Sequence, residues 1–165
     1  MTPAAHRPDL RRIGESAFTE VALVFLSLPV IVRSAATYSP LCGAPDRITS
    51  TVPLAGERVS GSVQIQLPFA FVALAVRRLT GLDGTAQNAH AVINDAAGEL
   101  ANMVAGRVAA QLAAEGFPCK LDTPSVSRGA PSPSTTQPYA DHARADFTCE
   151  GHALSLEIHF AYADP

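Results

Sequence analysis

The chain has 165 residues, 47% of them hydrophobic, with 12 basic against 15 acidic side chains and a formal net charge of -3. That length suits one domain spanning 1–165, and the apolar share excludes global disorder. The basic residues are scattered, so no electrostatic footprint for nucleic acid exists.

Residues 1 to about 8 are rich in Pro and Ala and are expected to fray. From about residue 11 to residue 28 the pattern predicts a helix, with Phe18, Val21, Ala22, Phe25 and Leu28 as its core stripe. Pro29 is expected to end it, because its ring and missing N–H oppose continuation. The run VALVFLSLPVIV (21 to 32) is about a dozen residues long, against the ~20 needed to span a bilayer. A signal-peptide reading would put cleavage near Ser34-Ala35-Ala36. Asp9, Glu15 and Glu20 precede the run and Pro29 interrupts it, so a buried helix end leading into an extended segment is expected instead. The chain is accordingly expected to be cytoplasmic, with no membrane contact.

A turn-rich stretch follows from Tyr38 to Asp46. Residues 48 to 54 and 59 to 67 then read as two strands, the second alternating at Val59, Gly61, Val63, Ile65 and Leu67. Only four residues separate them (Ala55-Gly56-Glu57-Arg58), so a hairpin is predicted. Pro68 opens a short helix through about Leu79, punctuated by Gly81 and Gly84.

The longest element is a helix from about residue 86 to residue 115, rich in alanine, with Gly116 as its C-cap. Residues 119 to 127 read as a strand interrupted by Pro124. The segment GAPSPSTTQPYA (129 to 140) reads as a flexible loop. Residues 145 to 150 and 152 to 162 read as a closing hairpin around Gly151. The element order suggests two related halves, and Ser16-x-x-x-Glu20-x-x-Leu23 matches Asp95-x-x-x-Glu99-x-x-Asn102 in spacing.

On a wheel of about 100° per residue, Ile93, Leu100, Val104, Val108 and Leu112 of the long helix share one side. Asp95, Glu99, Asn102 and Gly106 share the other, flanked by Gly98, Ala109 and Ala113. Glu99 and Asn102 are neighbours at i, i+3. Long polar side chains on a smooth Gly/Ala face can enter a partner's cleft, and Gly98 and Gly106 would let a partner backbone approach. Solvated helix faces also carry Glu and Asn, and small residues also mark helix packing, so the spacing alone leaves both readings open.

Other chemistry is sparse. Cys42, Cys119 and Cys149 form no Cys-x-x-Cys pair and are read as reduced thiols. His6, His90, His142, His152 and His159 show no metal-ligand spacing, so no metal site is expected. His152 and His159 fall on opposite faces of one strand. Neither a Gly-x-Ser-x-Gly elbow nor a phosphate-cradling P-loop is present.

The wider context of GELANMVAG (98 to 106) resembles the CheC/CheX/FliY phosphatases. Their pattern is Asp or Ser, three residues, Glu, two residues, Asn, then about twenty-two positions to a Pro. Asp95, Glu99, Asn102 and Pro124 occupy it here, and SGSVQIQLP (60 to 68) resembles the family's Gly-Ser strand. The resemblance runs collinearly over roughly residues 15 to 129. Leu23 stands where the first helix of two-site members has asparagine, as in one-site CheX-type chains.

The resemblance implies an α/β fold: a mainly antiparallel sheet, two long helices on one face, and a pseudo-twofold internal repeat. It implies hydrolysis of the aspartyl phosphate of a CheY-like receiver, with Asn102 orienting the attacking water and Glu99 docking on the receiver lysine. Asp95, Gly98 and Gly106 would contact the partner. No cofactor of its own is expected, Mg²⁺ being held by the receiver, and a homodimer is expected. The alternatives are a catalytically silent receiver-binding adaptor or dimerising scaffold and, more distantly, a secreted β-rich binding protein.

Overall fold

The computed structural model describes residues 7–33, 46–81, 89–129 and 141–163. Expectations for residues 1–6, for the turn-rich stretch through 45 (with Ala36 and Cys42), for Gly84 and for the loop from 130 to 140 lie outside them. In chain order the elements are α1 (Leu10–Leu26), β1 (Ile31–Arg33), β2 (Arg47–Ala55), β3 (Val59–Pro68), α2 (Phe69–Thr80), α3 (Ala89–Ala114), β4 (Lys120–Leu121), β5 (Ser125–Arg128), β6 (Asp141–Cys149) and β7 (His152–Tyr162).

The strands form one antiparallel sheet in the order β1-β6-β7-β3-β2-β4, with β5 also paired to β2. β3 and β7 are the central pair, in register from Val59↔Tyr162 to Gln66↔Ser155. Reading outward from that pair, β7-β6-β1 mirrors β3-β2-β4/β5. This is the pseudo-twofold repeat, with one feature added: each half lends its edge strand to the other. β1 of the first half pairs with β6 of the second, and β4 and β5 of the second pair with β2 of the first.

Strand alternation sends Val63, Ile65, Leu156, Ile158, Phe160, Ala145 and Phe147 to one face, where all are buried. α1 and α3 cover that face, and α2 packs against both of them and against β3. Phe18 of α1 stacks on Phe147 of β6 at 4.5 Å between ring centroids. Burying a ring of that size contributes roughly 2–3 kcal/mol. Gly14 lets α1 settle close to the sheet, since a Cβ there would meet the Leu156 side chain at 2.6 Å.

Helix C-termini are set by left-handed residues, and a side-chain cap sets the start of α1. Asp9 caps α1, accepting from the Arg12 backbone N–H at 3.0 Å. The helix stops at Leu26, two residues short of the expected end, because Ser27 turns left-handed (φ 53°) and returns its N–H to the Ala22 carbonyl. Pro29 therefore follows the stop and does not cause it. Phe25 is 42% exposed and not part of the core. The inner stripe continues from Ala22 to Leu26, one turn on, which leaves Phe25 on the flank with Leu23 and Val24. The run from 21 to 32 does lead from a helix end into an extended strand, but much of it is exposed, with Ile31 at 69%. Among the described residues no helix is long and apolar enough to cross a membrane.

Gly81 (φ 70°) and Gly116 (φ 90°) close α2 and α3. Residues 119 to 127 form two short strands on one edge of β2, with Pro124 in the break. β6 begins four residues earlier than expected. The β6–β7 turn holds Glu150 (φ 48°) and Gly151 (φ 77°) between the paired Cys149 and His152. Two consecutive positive φ angles are what a two-residue hairpin of type I′ requires.

Candidate functional site on the open face of α3

The inner stripe of α3 is as the periodicity predicts: Ile93, Leu100, Val104, Val108 and Leu112 are buried, joined by Ala97, Ala101, Ala105 and Ala109. Ala109 is thus a core residue rather than a flank of the polar face. On the outer side Asp95 and Glu99 are exposed, and Asn102 and Gly106 are partly exposed. These four positions make a stripe about 16 Å long at 1.5 Å per residue. Among the described residues, neither Glu99 nor Asn102 has a side-chain hydrogen bond or ion pair, so both are free to engage another molecule.

Gly98 departs from the expected partner face. It is buried, and a Cβ there would meet Val126 Cγ2 at 3.5 Å and Pro124 Cγ at 3.9 Å. The β4–β5 strap crosses α3 at this point, which gives Pro124 a structural reason for its distance from Asn102. Gly106 has open space around it. Both glycines therefore accept a methyl group, and Gly98→Ala and Gly106→Ala are each expected to stabilise the fold by up to about 1 kcal/mol through helix propensity. Thermal melts should show a rise of roughly 2–4 °C for each.

α1 lies antiparallel beside α3, joined by a ladder of polar rungs. Arg12 pairs with Glu115 (2.6 Å), Gln111 Nε2 donates to Ser16 Oγ (3.3 Å), and Arg107 pairs with Glu20 (3.3 Å). Each rung steps four residues forward in α1 and four back in α3. Arg107, to which the sequence assigned no role, is thus a partner of Glu20 across the seam. The next step falls at Val24 and Met103, where polar pairing ends. Beyond it, the same end of the seam carries Glu99 and Asn102 on α3 and the exposed Leu23 and Val24 on α1 (59% and 60%). A charged-amide pair flanked by apolar side chains is the composition of a protein-docking surface rather than of a small-molecule cleft.

Two further sequence expectations concern cysteine and histidine. Cys119 and Cys149 are free thiols, and burial pushes both up in pKa. His152 and His159 do point to opposite faces of β7, as their spacing requires. His142 and His159, however, are not isolated residues: the β6–β7 register sets them side by side, with rings stacked at 4.4 Å. No spacing rule within one strand reveals that pair.

Taken together, the two exchanged halves, the helix pair over one sheet face and the Asp95/Glu99/Asn102 stripe define a two-fold α/β domain with one acidic-amide helix site. A family profile described as Chemotaxis phosphatase CheX matches residues 48–148, which includes that site. The chain belongs to the CheX chemotaxis phosphatase family. Its fold is similar to that of the chemotaxis protein CheX from Vibrio vulnificus, with a TM-score of 0.78 at 19% identity over 96% of this chain and 100% of that one. It is also similar to a CheC-like superfamily protein from Shewanella sp. PV-4, with a TM-score of 0.73 at 16% identity over 94% and 99% of the two chains. The CheX of a CheX–CheY–BeF₃–Mg²⁺ complex from Borrelia burgdorferi gives 0.70 at 18% identity, over 93% and 99%. A comparison with curated protein sequences finds no match.

Proposed function

We propose that this chain is a phosphatase that hydrolyses the aspartyl phosphate of a CheY-like receiver. The observation that carries the reading is the family match across α3, on whose outer face Glu99 and Asn102 stand one turn apart without side-chain partners among the described residues. Phosphoryl transfer of this kind asks for positioning and electrostatics more than for covalent chemistry. An amide side chain can supply both, since its oxygen accepts from the attacking water while its nitrogen donates to the phosphoryl group. Asn102 takes that role. Glu99 pairs with the receiver's lysine and fixes register, and Asp95 adds negative charge to the docking surface. Mg²⁺ belongs to the receiver, and the reaction takes place in the cytoplasm.

Leu23, at the position that matches Asn102 in the first helix, cannot orient water. The reading is therefore one catalytic site per chain, with Leu23 and Val24 as apolar docking contacts beside it. The test is the rate at which a phosphorylated cognate receiver loses phosphate with and without the chain. Acceleration supports the reading, whereas tight binding without acceleration makes the chain an adaptor. Gly106→Ala should weaken receiver binding, because its added methyl stands on the open stripe. Gly98→Ala, buried under Val126, should leave binding unchanged.

Self-association is part of the same reading. β1 is an edge strand of three residues whose Ile31 and Val32 are 69% and 41% exposed. Exposed apolar edge strands invite pairing with a second copy. Light scattering is expected to report a dimer that Ile31→Lys converts to monomer; an unchanged mass for that variant would move the interface elsewhere.

A further inference from the structure

The sheet face opposite the helices carries a second cluster, unrelated to α3. Alternation that sends Ala145, Leu156 and Ile158 into the core sends His142, Arg144, Asp146, Glu157 and His159 to the other side. In the β6–β7 ladder His142 pairs with His159, and Arg144 with Glu157. Glu157 divides its two oxygens. Oε1 accepts from Arg144 Nη1 at 2.9 Å. Oε2 lies 3.2 Å from His159 Nε2 and 3.8 Å from His142 Nε2. The three ligand-competent atoms fall within 4.8 Å of one another.

We propose that His142, Glu157 and His159 form a binding site for a divalent transition cation, zinc in particular, with two imidazoles and one carboxylate as donors and water in the fourth position. The two distances to the carboxylate are close to what this needs, and the two imidazole nitrogens, within 4.8 Å, must draw together. Bond lengths of about 2.0–2.1 Å to nitrogen and oxygen put tetrahedral donors roughly 3.3 Å apart. The His159–Glu157 pair is already there, and the His142–Glu157 pair is about half an ångström wide. His142 is the side chain with freedom to adjust, at 50% exposure against 18% and 19% for Glu157 and His159. The stacked rings must turn for both Nε2 atoms to converge, and the more exposed ring can do so. The open side at His142 also admits the water ligand.

The surroundings fit a cation. Arg144 is shared between Glu157 and Asp146, whose Oδ1 lies 3.0 Å from Arg144 Nη2. One guanidinium between two carboxylates leaves the cluster formally at -1. Arg144 also holds the carboxylate's far oxygen, so Oε2 stays aimed at the imidazoles, the orienting role that outer-shell partners play at metal sites. All the donors stand on paired strands, not loops, which favours a preformed site. Imidazole and carboxylate suit zinc better than Mg²⁺ or Ca²⁺, which prefer all-oxygen sets.

The test uses tag-free full-length chain stripped of metal by a chelator, then titrated with ZnCl₂ alone by calorimetry. One zinc per chain is expected, together with a rise in melting temperature, since a ligand bound only by the folded state stabilises it. Co²⁺ in place of zinc should give the intense visible absorption of a tetrahedral site. His142→Ala and Glu157→Gln should each weaken zinc binding by about 10-fold or more, while His90→Ala should not. Circular dichroism establishes that each variant is folded; if Glu157→Gln is not, the half-exposed His142→Ala decides alone. Absence of saturable zinc binding, or equal affinity in His142→Ala, would overturn the proposal.

Discussion

Asn102→Ala should lower the chain's acceleration of receiver dephosphorylation by about 100-fold or more while leaving the complex intact. The size follows from the role. A group that positions the nucleophile contributes through geometry, and misplacing a reacting group by about 1 Å already costs on the order of 10²-fold. The fold should not suffer, because Asn102 is partly exposed and alanine is the better helix former. Glu99→Lys should behave differently. It opposes the receiver lysine with a like charge, so binding and turnover fall together. Single-turnover decay of the phosphorylated receiver reports turnover, and calorimetry with a beryllofluoride-loaded receiver reports binding. Full turnover in Asn102→Ala would sink the water-orienting role. Loss of binding in Asn102→Ala, with Glu99→Lys unaffected, would exchange the two assignments.

The second large effect concerns the sheet. Gly61 lies on β3 opposite Phe160 of β7, in the central strand pair. A Cβ at Gly61 would stand 1.9 Å from the His159 carbonyl oxygen and 2.4 Å from the Phe160 ring. Neither neighbour is the loose end of a flexible side chain, so Gly61→Ala must push β3 and β7 apart. A cost of about 3 kcal/mol or more is expected, at the severe end of single substitutions. For a chain of this size that lowers the melting temperature by roughly 6–12 °C. Ser62→Ala, one residue away, serves as the control and should shift it little. A melt of Gly61→Ala within about 2 °C of the unsubstituted chain would show that the pair yields more easily than this geometry allows. The glycine of the Gly-Ser strand thus has a packing reason independent of any partner.

Much of this was legible in the sequence because it depends on period. The buried stripe of α3, the alternation of β3 and β7 and the glycine stops at Gly81 and Gly116 each follow from local rules. The Asp95/Glu99/Asn102 stripe was legible for the same reason, since one helix carries all of it. What was not legible depends on which elements meet. Gly98 sits at the edge of the wheel, and only the β4–β5 strap crossing above it decides that it faces inward. Phe25 has the right spacing for the core, but Leu26 occupies the place where the sheet lies. Arg107 acquires its partner from a helix about ninety positions away. His142 and His159 look unrelated until the β6–β7 register is known, and register is a property of the pair rather than of either strand.

The exchanged edge strands bear on how the chain comes to be folded. β1 is synthesised early, yet among the described residues its strand partner is β6, more than a hundred residues later, and β2 waits likewise for β4 and β5 along its outer edge. Neither repeat can therefore complete its own sheet on the ribosome. Pairings this distant in sequence make for slow, all-or-none assembly. The two halves resemble clasped hands more than stacked bricks: a chain of half this length would have to obtain its missing strands from a second copy of itself.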